Sequence, residues 1–134
     1  MADPSSRPDL PTLAQRYSAA WIAHDVDAIV ALHAADSRFH SHGRNHAVHG
    51  REALRTEFAA VFRRFPNFGV QVHRLLFGDR HWVLDWTLTF QSTDGESHGF
   101  RCLDLVEVTD DGLISSKDTH FDFAEFTAAM AAAS

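Results

Sequence analysis

The spacing of hydrophobic positions changes character near Pro66, and the change predicts helices before it and strands after it. Leu13, Tyr17, Ala20 and Trp21 recur at intervals of three and four and so share one face of a first helix. That helix begins near Pro11, with Asp9 or Thr12 as its cap, and His24 closes it. Asp25 caps a short second helix, whose turns are marked by Val26, Ile29, Val30 and His33 before the chain becomes extended near Ser37. Residues 37–49 read as a short strand running into a polar loop that ends at Gly50. Leu54, Phe58, Val61, Phe62 and Phe65 then form one stripe of a third helix, which Pro66 prevents from continuing.

Beyond Pro66, turn signals at Gly78-Asp79, Thr93-Asp94-Gly95 and Asp110-Asp111-Gly112 divide the chain into a meander of antiparallel hairpins. From His81 to Phe90, Trp82, Leu84, Trp86, Leu88 and Phe90 alternate with a mixed face, so the aromatic side looks inward. From His98 to Val108, the inward set is Phe100, Cys102, Asp104, Val106 and Val108, in which Asp104 is the intruder. Asp122 caps a final alanine-rich helix running from Phe123 toward Ala133. Helices followed by an antiparallel sheet predict an α+β domain, with helices packed on one side of a bent sheet and a cavity left inside the bend. The division expected is a flexible leader over 1–10, rich in Pro and Ser, and a single domain over 11–134.

Composition narrows the function classes. The chain of 134 residues is 45% hydrophobic and 22% charged, which suits a self-sufficient globular core. Eleven phenylalanines and three tryptophans fill such a core or line a pocket for an apolar ligand. A net charge of −6, with Arg63-Arg64 as the only adjacent basic pair, excludes a phosphate-binding surface, so no nucleic acid is expected. Cys102 stands alone, which removes intrachain disulfides and thiolate zinc clusters. No apolar run is long enough to span a bilayer, and the N-terminus lacks a signal-peptide pattern, so no membrane is expected and the localisation expected is cytoplasmic.

Asp104 carries the sharpest chemical signal, because a carboxylate among apolar neighbours is costly to ionise and suits acid, base or hydrogen-bond-donor work. The alternative is a carboxylate at the sheet edge or one paired with an arginine. Histidine is abundant, with ten in the chain and His40, His42, His46 and His49 clustered. His40-Ser41-His42 puts two imidazoles on one side of a strand, but no third ligand follows at a recognisable spacing, and no metal or other cofactor is expected. One of the two imidazoles suits acid/base work near neutral pH. Asp118, His120 and Asp122 alternate along the last strand, where Asp122 is already accounted for as a cap, and Asp85 falls on the outer surface of the sheet.

The segments LAQRYSAAWIAHDVDAIVALHAAD, FHSHG, HGREAL and LDLVEVTDDGLISSKDTHFD are similar to the superfamily of ketosteroid isomerases and SnoaL-like polyketide cyclases. The resemblance spans about Leu13 to Phe126 and implies the cone-shaped nuclear transport factor 2-like fold, also called cystatin-like, and a homodimer formed through the outer face of the sheet. It matches Tyr17 and Asp104 to the isomerases' oxyanion-hole pair, while the proton-shuttling aspartate falls at Ser41 and a second pocket tyrosine at Phe58. Serine cannot serve as that base, which speaks against steroid isomerisation.

The expected function is therefore an isomerase, cyclase or lyase acting by acid/base chemistry on a hydrophobic, carbonyl-bearing small molecule. Asp104 is its acid/base group or oxyanion donor, Tyr17 assists, and His42 or His40 replaces the missing aspartate. Trp21, Phe58, Phe62, Trp82, Trp86 and Phe100 shape the substrate pocket. The alternative is a non-catalytic ligand-binding or dimerisation module of the same fold, and the discriminating observation is whether Asp104 and a histidine line one cavity.

Overall fold

In the computed structural model, which describes residues 7–44 and 46–134, each helix starts where its cap residue demands. Asp9 accepts a hydrogen bond from the Thr12 backbone N–H (3.1 Å) and starts α1 (Leu10–Ile22), with Pro11 in the first turn. Asp25 does the same from Ala28 for α2 (Val26–Ala31), and Asp122 from Glu125 for α4 (Phe123–Ala133). Gly50, at φ 90°, turns the chain into α3 (Arg51–Arg64) in a conformation a side chain would resist. The predicted leader falls for its first six residues outside the described positions, and the first helix begins at Leu10.

The strands are β1 (His33–Ser41), β2 (Val48–His49), β3 (Gly69–Phe77), β4 (His81–Gln91), β5 (Ser97–Val108) and β6 (Ile114–Phe121), arranged in the order β2-β1-β6-β5-β4-β3. The meander β3-β4-β5-β6 is antiparallel throughout, as the turn signals predict. Two features differ from the sequence reading. The second helix stops at Ala31, and His33 opens a strand paired with Ile114 instead of closing a helical turn. That strand then runs parallel to β6, a pairing between residues some eighty positions apart that local periodicity cannot reveal.

Irregularities in register between Val72 and Arg74 and between Glu107 and Val108 bend an unclosed sheet around its inward face. That face carries Trp82, Trp86, Leu88, Phe90, Phe100, Cys102, Val106 and Val108, all buried, and meets Leu13, Tyr17 and Trp21 of α1 and Leu54 and Phe58 of α3. Among the described residues, no helix is long and apolar enough to cross a membrane.

Candidate functional site

Register builds the site. Two adjacent inward rows cross the sheet: Ser41 pairs with Thr119, Thr119 with Asp104 and Asp104 with Leu84, while Phe39 pairs with Lys117, Lys117 with Val106 and Val106 with Trp82. A polar group of four side chains is thereby set into an otherwise apolar surface. Asp104 is 4% exposed, yet its carboxylate has partners: the Thr119 hydroxyl donates to Oδ1 (2.9 Å) and Lys117 Nζ lies 3.6 Å from Oδ2. Lys117 is equally buried, with its ammonium 4.3 Å from the centre of the Trp21 ring and 5.0 Å from that of Tyr17. Burial alone favours the neutral amine, but the Tyr17 oxygen and the Asp104 carboxylate outweigh it and hold Lys117 above the ordinary lysine value.

α1 lays Tyr17 over this group. Its hydroxyl is 2.8 Å from His33 Nε2, and His33 Nδ1 is 2.8 Å from the Ser37 hydroxyl, so a buried chain runs Tyr17–His33–Ser37. Burial pushes the Tyr17 phenol up, against the pull of Lys117. Burial, with the charges of Lys117 and Arg51, lowers His33 to about 3, which makes it a neutral imidazole. With the proton on Nε2, His33 donates to the Tyr17 oxygen and leaves the phenol hydrogen free to turn elsewhere; with it on Nδ1, the phenol donates to His33.

Tyr17 and the polar group of Ser41, Asp104, Lys117 and Thr119 border a cavity of about 440 Å³ between the inward sheet face and α1. Its lining includes Tyr17, Trp21, Trp82, Trp86, Phe100 and Asp104 from the sequence-selected residues, joined by Phe39, Ser41, Arg44, Phe65, Phe68, Cys102, Lys117 and Thr119. Asp104 is the one carboxylate of the lining among the described residues.

Four expected site residues lie elsewhere. Phe58 is 0% exposed, packed against Trp21 and Phe39 with ring centres 5.0 Å away in each case; it is core. Phe62 packs on Trp21, His24 and Phe68 and does not reach the cavity lining. His40 and His42 fall on the opposite side of the sheet, because Phe39 and Ser41 take the inward positions of β1 and alternation turns their neighbours outward. Neither imidazole therefore reaches the cavity beside Asp104. His42 Nε2 instead meets Asp118 Oδ1 at 2.7 Å, and Arg38 grips both Asp118 oxygens (2.9 and 3.1 Å). Burial works against the Asp118 charge, but Arg38 and His42 outweigh it and hold the carboxyl below its usual range. Asp85 is on that outer face too, clasped by Arg101 and Arg74, and Arg101 above all lowers it to about 2.

Lys117, Thr119 and His33 escaped the sequence reading. One signal could have found the first two: in ISSKDTHF, placing Phe121 inward puts Lys117 and Thr119 inward and sends Asp118 and His120 out. Nothing local marks His33, whose place depends on the parallel pairing.

Comparison with known proteins agrees with this architecture. No curated protein sequence matches the chain. A protein with a ketosteroid isomerase-like fold from Catenulispora acidiphila, solved in complex with trimethylamine, superposes with a TM-score of 0.78 at 18% identity, covering 89% of this chain and 92% of that one. A candidate SnoaL-like polyketide cyclase from Shewanella putrefaciens gives 0.81 at 12% identity over 98% and 96%. SalBIII, an epoxide hydrolase/cyclase-like enzyme of pyran ring formation in the polyether salinomycin, gives 0.75 at 16% over 86% and 92%. At these identities the likeness speaks for the fold alone. The SnoaL-like domain profile, however, matches residues 14–117, most of the chain and every strand that shapes the cavity up to Lys117, and the protein belongs to the SnoaL-like domain family.

Proposed function

We propose that the protein is an acid/base enzyme of the isomerase or cyclase kind, acting on a hydrophobic molecule that bears a carbonyl group. The observation that carries the reading is the Asp104–Lys117 pair set beside Tyr17 in the wall of an apolar cavity. Trp21, Trp82, Trp86 and Phe100 supply apolar contact for such a substrate, and the polar group gives it one orientation. In this scheme the Asp104 carboxylate removes a proton from the carbon next to the carbonyl. Negative charge then develops on the carbonyl oxygen, where the Lys117 ammonium and the Tyr17 hydroxyl stabilise it. In a β,γ-unsaturated ketone, return of the proton from Asp104 to the γ carbon completes an isomerisation; attack of the enolate carbon on a second carbonyl, with the Asp104 proton passing to the new alkoxide, completes a ring closure.

The test is deuterium uptake by β-tetralone in D2O, followed by NMR, because it reads enolisation whatever the natural product is. The wild type is expected to accelerate exchange, Asp104→Asn to lose about 10²–10⁴-fold of it, the range of a positioned general base, and Lys117→Met to lose part. A wild type that quenches its tryptophan fluorescence on binding the ketone without accelerating exchange would favour the second reading, a ligand-binding module. That reading has its own support: neither His40 nor His42 reaches the cavity, and Asp104 is the single carboxylate among the described residues that line it.

A further inference from the structure

The outer side of the sheet holds a cluster that the cavity chemistry does not use. β1 and β6 run parallel in a register that sets His40 directly beside Asp118, and His42 follows at the end of the strand with Nε2 2.7 Å from Asp118 Oδ1. One ligand atom from each of His40, His42 and Asp118 lies within 4.8 Å of the other two. The two imidazole ring centres are 3.8 Å apart, and His120 stacks on His42 at 4.0 Å and 12°, fixing that ring's plane. The third partner that sequence spacing fails to supply is thus brought in by the tertiary fold, from a strand nearly eighty residues away.

We propose that His40, His42 and Asp118 form a binding site for a zinc-type divalent transition-metal ion, with water completing the coordination. Zinc bonds of about 2.0–2.2 Å in tetrahedral array set neighbouring ligand atoms about 3.3 Å apart, so the site closes on small side-chain rotations from the observed positions. The ion takes the place of the hydrogen bond between His42 Nε2 and Asp118 Oδ1. Arg38 leaves room for it, because a carboxylate has about four lone-pair sites and the guanidinium fork uses one on each oxygen. The fork also holds the carboxylate's orientation, as outer hydrogen-bonding partners of metal ligands do. Because Arg38 offsets the carboxylate's charge, affinity rests on the imidazole nitrogens, which select zinc, nickel or copper over magnesium and calcium. Bound there, the ion ties the end of β1 to β6 at their parallel seam.

The experiment is isothermal titration of metal-stripped, untagged protein with zinc chloride, and separately with magnesium chloride. One equivalent of zinc is expected to bind, magnesium is not, and zinc should raise the melting temperature of the wild type. His42→Ala and His40→Ala are each expected to weaken zinc by more than the roughly 10–100-fold that loss of an outer partner costs, while His73→Ala on β3 leaves it unchanged. Both ligand variants replace partly exposed side chains, and circular dichroism checks their folding; His42→Gln serves as a second variant that keeps a hydrogen bond to Asp118. Absence of saturable zinc binding by the wild type overturns the site, as does binding that survives in the His40→Ala/His42→Ala double variant, which would place zinc on other histidines.

Discussion

Lys117 Nζ lies 3.6 Å from Asp104 Oδ2, with side chains only 7% and 5% exposed, and the same ammonium rests over the rings of Tyr17 and Trp21. Two charges at this depth have lost most of their hydration, and the Coulombic attraction, the Thr119 hydroxyl and the aromatic faces together replace it. Such a pair adds little to stability compared with well-packed apolar residues. Its value is a charged donor and a charged acceptor held together in the cavity wall.

Removing one partner strands the other. Asp104→Asn and Lys117→Met are each expected to destabilise the fold by about 3 kcal/mol, the lower end for breaking a buried pair, because the cavity lets the remaining charge recover some water. The double variant Asp104→Leu/Lys117→Met should regain most of that loss. Urea unfolding of the four proteins checks this, and additive single losses in the double variant would contradict the coupling.

His33 makes stability depend on pH in a definite window. The unfolded chain takes up this proton near 6.5 and the folded chain near 3, so between those values the unfolded state binds more protons and stability falls as pH drops. The slope for one proton is about 1.4 kcal/mol per pH unit. Melting temperatures of the wild type are expected to decline from pH 6.5 to 5, above the range in which Asp85 and Asp118 titrate, while His33→Gln should be nearly flat there. Equal slopes for the two proteins would show that another group is responsible.

Core and cavity roles separate by mutation. Phe58→Ala is expected to cost about 3–5 kcal/mol, since it empties a fully buried ring position, and Phe58→Leu, at a smaller cost, should leave ketone binding intact. Trp86→Leu, on the cavity wall, should weaken binding of the same ketone by tenfold or more as it withdraws aromatic contact. Denaturation and fluorescence titration in parallel read the two effects, and comparable losses of binding in Phe58→Leu and Trp86→Leu would place Phe58 in the site after all.

Much of this protein is written locally. Asp9, Asp25 and Asp122 cap helices because a short carboxylate accepts from a backbone N–H three residues on, and no distant contact is needed for that. Alternation along β4 and β5 likewise determined that Trp82, Trp86, Phe100 and Asp104 look inward, because neighbouring side chains on a strand must point to opposite faces. The resemblance to SnoaL-like proteins rests on those same patterns. Long-range pairing decided the rest. β1 lies parallel to β6, and only that register puts Ser41 beside Thr119 within the cavity, His40 and Asp118 together outside it, and His33 under Tyr17. Lys117 reaches Asp104 through the β5–β6 register, so the charge that completes the polar group comes from thirteen residues further along the chain. Sequence alone sets which way a side chain faces on its own strand; which side chain it meets is set by strand order, and strand order belongs to the folded sheet.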